Sequence, residues 1–218
     1  KAQEHIREEK LGGKIATRLG NGLAPLEPGE TDTVIIAGMG GDLICKILKA
    51  KPEFLIEGKE FILQPQSEWF KIRRLLKEYR YQIEKEWFLK EDGKYYVIIK
   101  AEPAWTQPQR LKHQQPSIHE YIKEISDTQV NQAVSEKDME SIYEQYGKYL
   151  IETKNPVLKE YLEKEITKKE SIAAELKQSI KEIESEELSG KERGNIAKRQ
   201  RRYQEIQKEI RDMRKAIG

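Results

Sequence analysis

The sequence predicts an α/β domain followed by an α-helical domain that contains an antiparallel coiled coil. Short apolar runs alternate with amphipathic helical patterns over residues 14–101, which is typical of a largely parallel sheet covered by helices. Beyond Pro156, apolar residues recur at alternating steps of three and four, the spacing of a coiled-coil seam. We therefore place the α/β domain at residues 1–103, a linker or insertion at 104–137 and the helical domain at 138–218.

The predicted sheet consists of two apolar strands and a hairpin. The runs Val34–Ile36 and Phe61–Leu63 are continuously apolar, as in strands that are buried on both faces, and we expect both to be central strands. The pair Asp92-Gly93 separates two further strand-like runs and predicts a tight hairpin, so the sheet is expected to end antiparallel. Helical spacing predicts a first helix at the N-terminus and one after each apolar strand, over 2–10, 43–48 and 69–79.

Two helices separated by Ser189-Gly190 are predicted at the C-terminal end. Residues 103–117 contain three prolines and four glutamines, a composition typical of a linker. Residues 159–188 hold 6 basic and 9 acidic side chains, whereas residues 191–218 hold 10 basic and 4 acidic ones. The last helix is therefore distinctly basic, which suits either an anionic partner or pairing with the acidic helix before it.

Composition restricts the class of protein and its location. Charged residues make up 36% of the chain and hydrophobic residues 37%, so part of the chain must form elongated, solvated structure. Cys45 is the only cysteine, which excludes an internal disulfide and favours a reducing, cytoplasmic location. No apolar run approaches the roughly 20 residues of a membrane helix, so no membrane partner is expected. The histidines show no metal-ligand spacing with Cys45, and no metal site is expected.

Three polar turns are predicted to line one crevice at an edge of the sheet. They are the string Arg18–Leu23, the string Ala37–Gly41 after the first apolar strand, and Gln64-Pro65-Gln66 after the second. In an open parallel sheet, ligands bind outside the carboxyl ends of the strands. Glycines allow the backbone to approach a ligand, and the start of the next helix offers free N–H groups. The alternative is that these strings form tight turns without a ligand.

The three strings together resemble a known family. Arg-Leu-Gly-Asn-Gly-Leu, Ile-Ala-Gly-Met-Gly-Gly and Leu-Gln-Pro are similar to strings of the bacterial tRNA (adenine(22)-N1)-methyltransferases, and the resemblance covers residues 1 to 102. Residues 149–163 are similar to the stretch that introduces that family's helical domain, whereas residues 104–137 match no part of it. The resemblance implies a Rossmann-like class I methyltransferase domain that uses S-adenosylmethionine and acts on tRNA.

The resemblance also implies roles for residues in these strings. The loop at Asn21 and Gly22 would meet the adenine side of the cofactor, and the loop after the first strand would face both the methyl group and the target base, through Ala37, Gly38 and Met39. The N1 atom of adenine has a free lone pair and can attack the methyl group in line, so positioning should outweigh acid–base catalysis. The catalytic candidates are Gly38, Met39 and Gln64, and oxygens near Gly38 and Gln64 could offset the positive charge of the methylated ring.

Part of the family's cofactor site should lie upstream of Lys1. The resemblance implies a glycine-rich first-strand loop and an acidic residue that holds the ribose hydroxyls, and we expect these N-terminal strands before Lys1. One alternative is a Rossmann-like binding remnant whose coiled coil is a protein-interaction arm. Another is a methyltransferase that acts on another RNA or on a small molecule. Asp42, beside the second string, is interpreted as a solvated carboxylate at a helix start.

Five arginines are candidates for contacts with tRNA. Arg199, Arg201 and Arg202 lie in the basic helix, where they could contact phosphates. Arg18 and Arg73 lie near the predicted crevice. The alternative for the first three is pairing with the acidic helix. For the other two, the alternative is solvation of the sheet edge.

Overall fold

Residues 1–104, 134–184 and 190–218 are described by the computed structural model of the chain. Most of the predicted linker lies outside these residues, and so do His113, His119 and Ser189. Among the described residues, none of the helices has both the length and the apolar character that a membrane span requires.

A mixed sheet forms the first part of the chain. Its four strands are β1 (Thr33–Met39), β2 (Glu60–Pro65), β3 (Tyr81–Glu91) and β4 (Lys94–Pro103), and they lie in the order β1-β2-β4-β3. Only β1 and β2 are parallel, because β4 returns from the hairpin and pairs antiparallel with both β2 and β3. The prediction of a largely parallel sheet is therefore wrong for the described strands, whereas the antiparallel end of the sheet is confirmed.

The hairpin between β3 and β4 has the geometry that its sequence predicts. Glu91 pairs with Lys94, so only two residues form the loop. Asp92 has a φ of 47° and Gly93 a φ of 75°. Two consecutive positive φ values characterise the type I′ turn, whose twist matches that of the flanking strands.

The strand β1 lies at the edge of the described sheet and is buried on one face only. Val34 and Ile36 are 5% and 7% exposed, whereas Ile35 between them is 67% exposed. The same alternation continues in β2, where Phe61 and Leu63 are fully buried and Ile62 is half-buried. Among the described residues β1 therefore has one uncovered face and one unpaired edge, and its being a central, doubly buried strand stays a prediction.

Helices follow the two parallel strands and supply much of the core. The helix α1 (Ala2–Glu8) precedes the sheet and has no buried residue. After β1 come α2 (Gly41–Ala50) and α3 (Glu53–Ile56), and after β2 comes α4 (Trp69–Glu78). These ranges confirm the helices that apolar spacing predicts. Their inward residues are fully or almost fully buried, each stabilising the fold by about 1.5–3 kcal/mol: Ile44, Leu48, Phe54, Leu55, Ile72, Leu75 and Leu76.

The C-terminal part is helical: α5 (Val134–Tyr146), α6 (Lys148–Glu152), α7 (Pro156–Glu184) and α8 (Gly190–Ile217). The start of α7 is fixed by Asn155, whose Oδ1 accepts hydrogen bonds from the N–H groups of Val157 and Leu158, both at 3.0 Å. Pro156 occupies the first helical position, where its missing N–H costs nothing.

The helices α7 and α8 pack against each other and run antiparallel. The direction follows from three contacts. In the middle of α7, Lys169 and Glu170 contact Glu209 and Arg214, late in α8, whereas Ser179, further along α7, contacts Arg199, which lies earlier in α8. The apolar seam between them is buried as predicted, including Leu162, Ile166, Ala173, Ile180, Ile196, Ile206, Ile210 and Met213. Whether the two helices supercoil as a coiled coil stays a prediction.

Aromatic residues join the sheet to the C-terminal helices. The rings of Trp69 and Phe88 are 5.4 Å apart, and Tyr161 of α7 lies 5.7 Å from Trp69 and 5.5 Å from Phe88. Tyr95 of β4 lies 5.0 Å from Tyr161. Such pairs are each worth about 0.5–1.5 kcal/mol beyond their buried area. The buried residues of both parts form one continuous cluster, so the domain boundary at 103 and 138 stays a prediction.

Candidate active site

The loops that follow β1 and β2 are joined side by side at the carboxyl ends of these strands. Four hydrogen bonds connect them: Gly38 N–H to Gln64 Oε1 at 2.8 Å, Gln66 N–H to the Met39 carbonyl at 2.8 Å, Gly41 N–H to the Ser67 carbonyl at 3.0 Å, and Asp42 N–H to Glu68 Oε2 at 3.2 Å. The structure therefore brings Gly38, Met39 and Gln64 together. Their catalytic roles stay predictions.

Gly38 and Gly41 have different structural roles in this site. Gly38 has a φ of 76°, and a Cβ there would meet nothing within 4 Å, so the turn requires glycine while the surface beside it is open. Gly41 is buried, and a Cβ there would lie 2.6 Å from the Glu68 carbonyl oxygen and 2.7 Å from that of Ser67. Gly41 thus permits the two loops to approach each other, a structural role.

Replacing Gly41 by alanine is expected to destabilise the fold by about 1–3 kcal/mol, because a methyl group would overlap two backbone carbonyls and force the loops apart. Gly13→Ala is the matched control, since a Cβ at Gly13 would meet nothing within 4 Å. Urea unfolding of both variants measures the difference. Equal midpoints for the two variants would show that the loops are not held together as described.

The start of α2 is less available to a ligand than the sequence predicts. Its first two N–H groups, those of Gly41 and Asp42, are already bonded to Ser67 and Glu68. Glu68 reaches this position with a left-handed backbone, at a φ of 53°. The prediction of a free helix start is therefore wrong for these two groups. A positive φ at glutamate has no local signal in the sequence, and the contact joins loops far apart in the chain, so this pairing could not be foreseen.

The carboxylate of Asp42 is engaged by lysines. It lies 2.7 Å from Lys46 Nζ and 2.9 Å from Lys71 Nζ. Hydrogen bonds from Lys46 and then Lys71 lower the pKa of Asp42 to about 2. Lys71 also pairs with Glu68 at 2.5 Å, so these charges strengthen the connection between the two loops. This arrangement agrees with the interpretation of Asp42 as a helix-start carboxylate.

The loop that contains Asn21 is held by Arg18 and Glu30. The guanidinium donates to both carboxylate oxygens of Glu30, at 2.5 and 2.7 Å, and to the Pro25 carbonyl at 3.2 Å. The hydrogen bond from Arg18 and a second one from the Glu27 N–H lower the pKa of Glu30 to about 2. Glu30 is not among the predicted site residues, because no motif marks it. Arg18 therefore shapes this loop, and its contact with RNA stays a prediction.

The same loop packs against α2. Leu23 is only 7% exposed and belongs to the core. Gly22 has a φ of 56°, and a Cβ there would lie 2.8 Å from Cγ2 of Ile47. Asn21 is exposed beside it. Because α2 begins directly after the Gly38 loop, the Asn21 loop and the Gly38 loop are both attached to this one helix.

Comparison with known proteins identifies the family. The family model described as tRNA (adenine(22)-N(1))-methyltransferase matches residues 1–145. The chain belongs to this family. Over 162 residues it is 33% identical to the tRNA (adenine(22)-N(1))-methyltransferase of Bacillus subtilis (strain 168), an alignment that covers 60% of this chain and 67% of the relative. The methyl donor of the family is S-adenosylmethionine.

Solved structures of family members share the fold. All of this chain superposes on 76% of the B. subtilis M1A22 tRNA methyltransferase TrmK, with a TM-score of 0.66 and 24% identity. The structure of M. capricolum TrmK, a complex with the natural cofactor product S-adenosyl-homocysteine, matches 99% of this chain over 74% of its own length, with a TM-score of 0.61 and 21% identity. A Rossmann-like methyltransferase fold is thereby confirmed.

Arg73 is not available for the tRNA substrate of the family. Its side chain is 4% exposed, and its Nε donates to Glu86 Oε1 at 2.7 Å. Its Nη1 donates to the carbonyls of Glu144 and Gln145, at 3.1 and 2.9 Å, near the end of α5. The predicted RNA contact at Arg73 is therefore wrong. The helical pattern placed a cation near the crevice but did not show that it faces a buried carboxylate.

The three arginines of the basic helix are accessible and only partly engaged. The side chain of Arg201 is 85% exposed and lies 3.9 Å from Glu205. Arg202 lies 3.2 Å from Glu205 and 3.5 Å from Glu209, while Arg199 donates to Ser179 of α7. The pairing is thus mostly within α8 itself rather than with the acidic helix. A role in RNA binding stays a prediction.

Three carboxylates surround Lys100 on the sheet. Glu84, Glu60 and Glu102 lie 2.6, 3.0 and 3.2 Å from its Nζ. Although carboxylates at this spacing could hold a metal ion, the ammonium group already supplies a positive charge among them. Hydrogen bonding to Lys100 lowers the pKa of Glu84. The expectation of no metal site is compatible with this cluster and stays a prediction.

Proposed function

We propose that this chain transfers the methyl group of S-adenosylmethionine to N1 of an adenine in tRNA, at the loops after β1 and β2. The observation that carries the proposal is the joined pair of loops at the carboxyl ends of the two parallel strands, where Ala37, Gly38 and Met39 are exposed. Ligands of such sheets bind at this edge. The family of the chain gives the reaction and the methyl donor.

The residues present fit a flat cofactor. A Cβ atom at Gly38 would have no heavy-atom neighbour within 4 Å, so the backbone at this position can lie against a ligand. Asn21 and Gly22 would hold the adenine side of the cofactor, and Ala37, Gly38 and Met39 its methyl side. When bound, S-adenosylmethionine supplies an electrophilic methyl group on a sulfonium.

Positioning is the main task of these residues. The N1 lone pair of adenine forms the new bond to carbon, and the electron pair of the broken carbon–sulfur bond stays on sulfur. No proton has to leave N1 first, so a general base is not required. Holding the two reactants in line contributes up to about 7–11 kcal/mol in favourable cases. The base must leave its stack to reach the loops, at a cost of a few kcal/mol.

The direct test is methylation of a tRNA transcript by the full-length protein. The substrate carries adenine at position 22, and the matched control carries guanine there and is otherwise identical. We expect 1-methyladenosine in the digested first transcript, detected by mass spectrometry, and none in the second. Methylation of both transcripts at another position would favour a different RNA site. Absence of turnover together with retained binding of S-adenosylmethionine would favour the alternative of a Rossmann-like binding remnant whose coiled coil is a protein-interaction arm.

The helical part is proposed to grip the tRNA body. We assign residues 1–103 to the methyltransferase domain, 104–137 to a linker or insertion, and 138–218 to a coiled-coil domain. The exposed cations of α8 support this assignment, since phosphate contacts dominate the affinity of proteins for nucleic acids. With tRNA as substrate and a lone cysteine, the proposed location is the cytoplasm.

Charge reversal at Arg199, Arg201 and Arg202 to glutamate is expected to weaken tRNA binding and to flatten its salt dependence. Each phosphate that is no longer bound should reduce the slope of log K against log salt by about one unit. The matched control reverses three exposed lysines of the acidic helix α7, at Lys159, Lys168 and Lys177. Filter binding between low and high salt measures both slopes. If the slope falls equally in both triple variants, only net charge matters, and the basic face of α8 has no special role.

A further inference from the structure

The side-chain amide of Gln64 has a fixed orientation. Its Oε1 accepts the hydrogen bond from Gly38 N–H at 2.8 Å. Because an N–H group can donate only to an acceptor, the oxygen of the amide must face Gly38 and the nitrogen must face away from it. The amide oxygen of Gln64, one of the oxygens predicted to offset the charge of the methylated ring, therefore accepts a hydrogen bond that joins the two loops.

The nitrogen of the same amide lacks a partner. Gln64 Nε2 is buried and has no hydrogen-bond partner among the described residues. A buried donor that stays unpaired is costly, so most such groups in native proteins are paired, with protein or with an ordered small molecule. Gln64 lies at the end of β2 and is bonded to Gly38, beside which the surface is open. An acceptor is thus missing at the site of the proposed reaction.

We infer that Gln64 donates a hydrogen bond from Nε2 to a ring-nitrogen acceptor of the target adenine and so orients the base for methyl transfer. This inference rests on the proposed function. N1 cannot be this acceptor, because its lone pair forms the new bond to the methyl carbon. The exocyclic amino group is itself a donor. The remaining ring acceptors of adenine are N7 and N3, and a donor aimed at either one orients the base.

A hydrogen-bond donor at Gln64 and an acceptor that stabilises the cationic product predict different effects of substitution. An acceptor near the ring would favour the positive charge that develops during transfer, whereas a donor holds the base at a distant nitrogen. Gln64→Glu separates the two. It keeps an oxygen for Gly38 N–H, replaces the donor by a carboxylate and adds a negative charge.

The experiment compares wild-type protein and Gln64→Glu on the adenine-22 transcript. The donor role predicts that kcat/KM of the variant falls by about 10- to 100-fold, the usual range for a buried group left unpaired. Charge stabilisation predicts an unchanged or higher kcat. The deficit should shrink as the pH is lowered, because the carboxyl group of the variant regains an O–H donor once it is protonated, while the wild-type profile should show no such rise. An unchanged kcat/KM, or a deficit independent of pH, overturns the inference.

Modified substrates test the inference without any substitution. Transcripts with 7-deazaadenine or 3-deazaadenine at position 22 each lack one acceptor. The kcat/KM of the wild type should fall by at least about 5-fold on one of the two, and that of Gln64→Glu should fall little further on that same transcript. Equal wild-type rates on both analogues and on adenine overturn the inference even if Gln64→Glu does not fold. Absence of any wild-type methylation of adenine 22 would instead contradict the proposed function.

Discussion

Met39→Arg is expected to lower kcat/KM for tRNA methylation by about 100-fold or more. Met39 ends β1 beside Gly38 and is 37% exposed, so a longer side chain there would occupy the space proposed for the methyl group and the base. Displacing reactants by about 1 Å can cost about 100-fold. The added positive charge would also repel the sulfonium of the methyl donor. Initial-rate assays with varied tRNA and cofactor measure the decrease.

The matched control for this variant is Leu89→Arg. Leu89 is 45% exposed on β3, the strand at the opposite edge of the described sheet, and the substitution makes the same exchange of an exposed apolar side chain for a cation. Both substitutions should change the free energy of unfolding by less than about 0.5 kcal/mol, as surface substitutions usually do. A wild-type rate for Met39→Arg, or equal decreases in both variants, would contradict the placement of the site.

Local signals in the sequence predicted the local structure well. Asp92-Gly93 specified its turn because only a few residue types accept two positive φ values. The helices after β1 and β2 followed from apolar spacing. The string Ala37–Gly41 marked the edge of the sheet at which the two loops meet, because glycine is required where backbone turns sharply, as at Gly38, or meets other backbone, as at Gly41.

Long-range arrangement could not be predicted in the same way. The position of β4 between β2 and β3 depends on which strand edges are free after the hairpin forms. The sequence of β4 does not indicate with which of these edges it pairs. The exposure of Ile35 likewise depends on what lies against that face of the sheet, not on the strand itself. Glu68 and Glu30 became part of the site through contacts across 26 and 12 residues of chain, for which a single sequence has no periodic signal.

Arg73 shows how such a contact joins the two parts of the molecule. Its guanidinium pairs with Glu86 of β3 and also bonds two carbonyls near the end of α5. Gly147, with a φ of 93°, follows directly, and a methyl group there would overlap Glu86 Oε2. The helical part is therefore fastened to the α/β part at a buried, closely packed junction rather than through the linker alone.

Arg73→Met is expected to destabilise the protein by about 3–5 kcal/mol, since it leaves the buried Glu86 carboxylate without its partner. The double variant Arg73→Met/Glu86→Leu should recover most of this stability, because an apolar pair of similar size is often as stable as a buried ion pair. Urea unfolding measures all three proteins. A decrease below about 1 kcal/mol for the single variant, or no recovery in the double variant, would show that the pair does not hold this junction.

The destabilisation of Arg73→Met should also depend on pH. Burial already raises the pKa of Glu86 above its ordinary value of 4.5, against the attraction of Arg73. Without Arg73 that pKa should rise further, so the folded state binds a proton that the unfolded state releases. Stability is then retained near pH 4.5 and is lost as the pH rises through the folded-state pKa. The unfolding midpoint of Arg73→Met should therefore fall more steeply between about pH 5 and about pH 8 than that of the double variant. The double variant is the control, because it has no carboxyl group at this position. Parallel curves for the two variants would mean that Glu86 reaches solvent once Arg73 is gone.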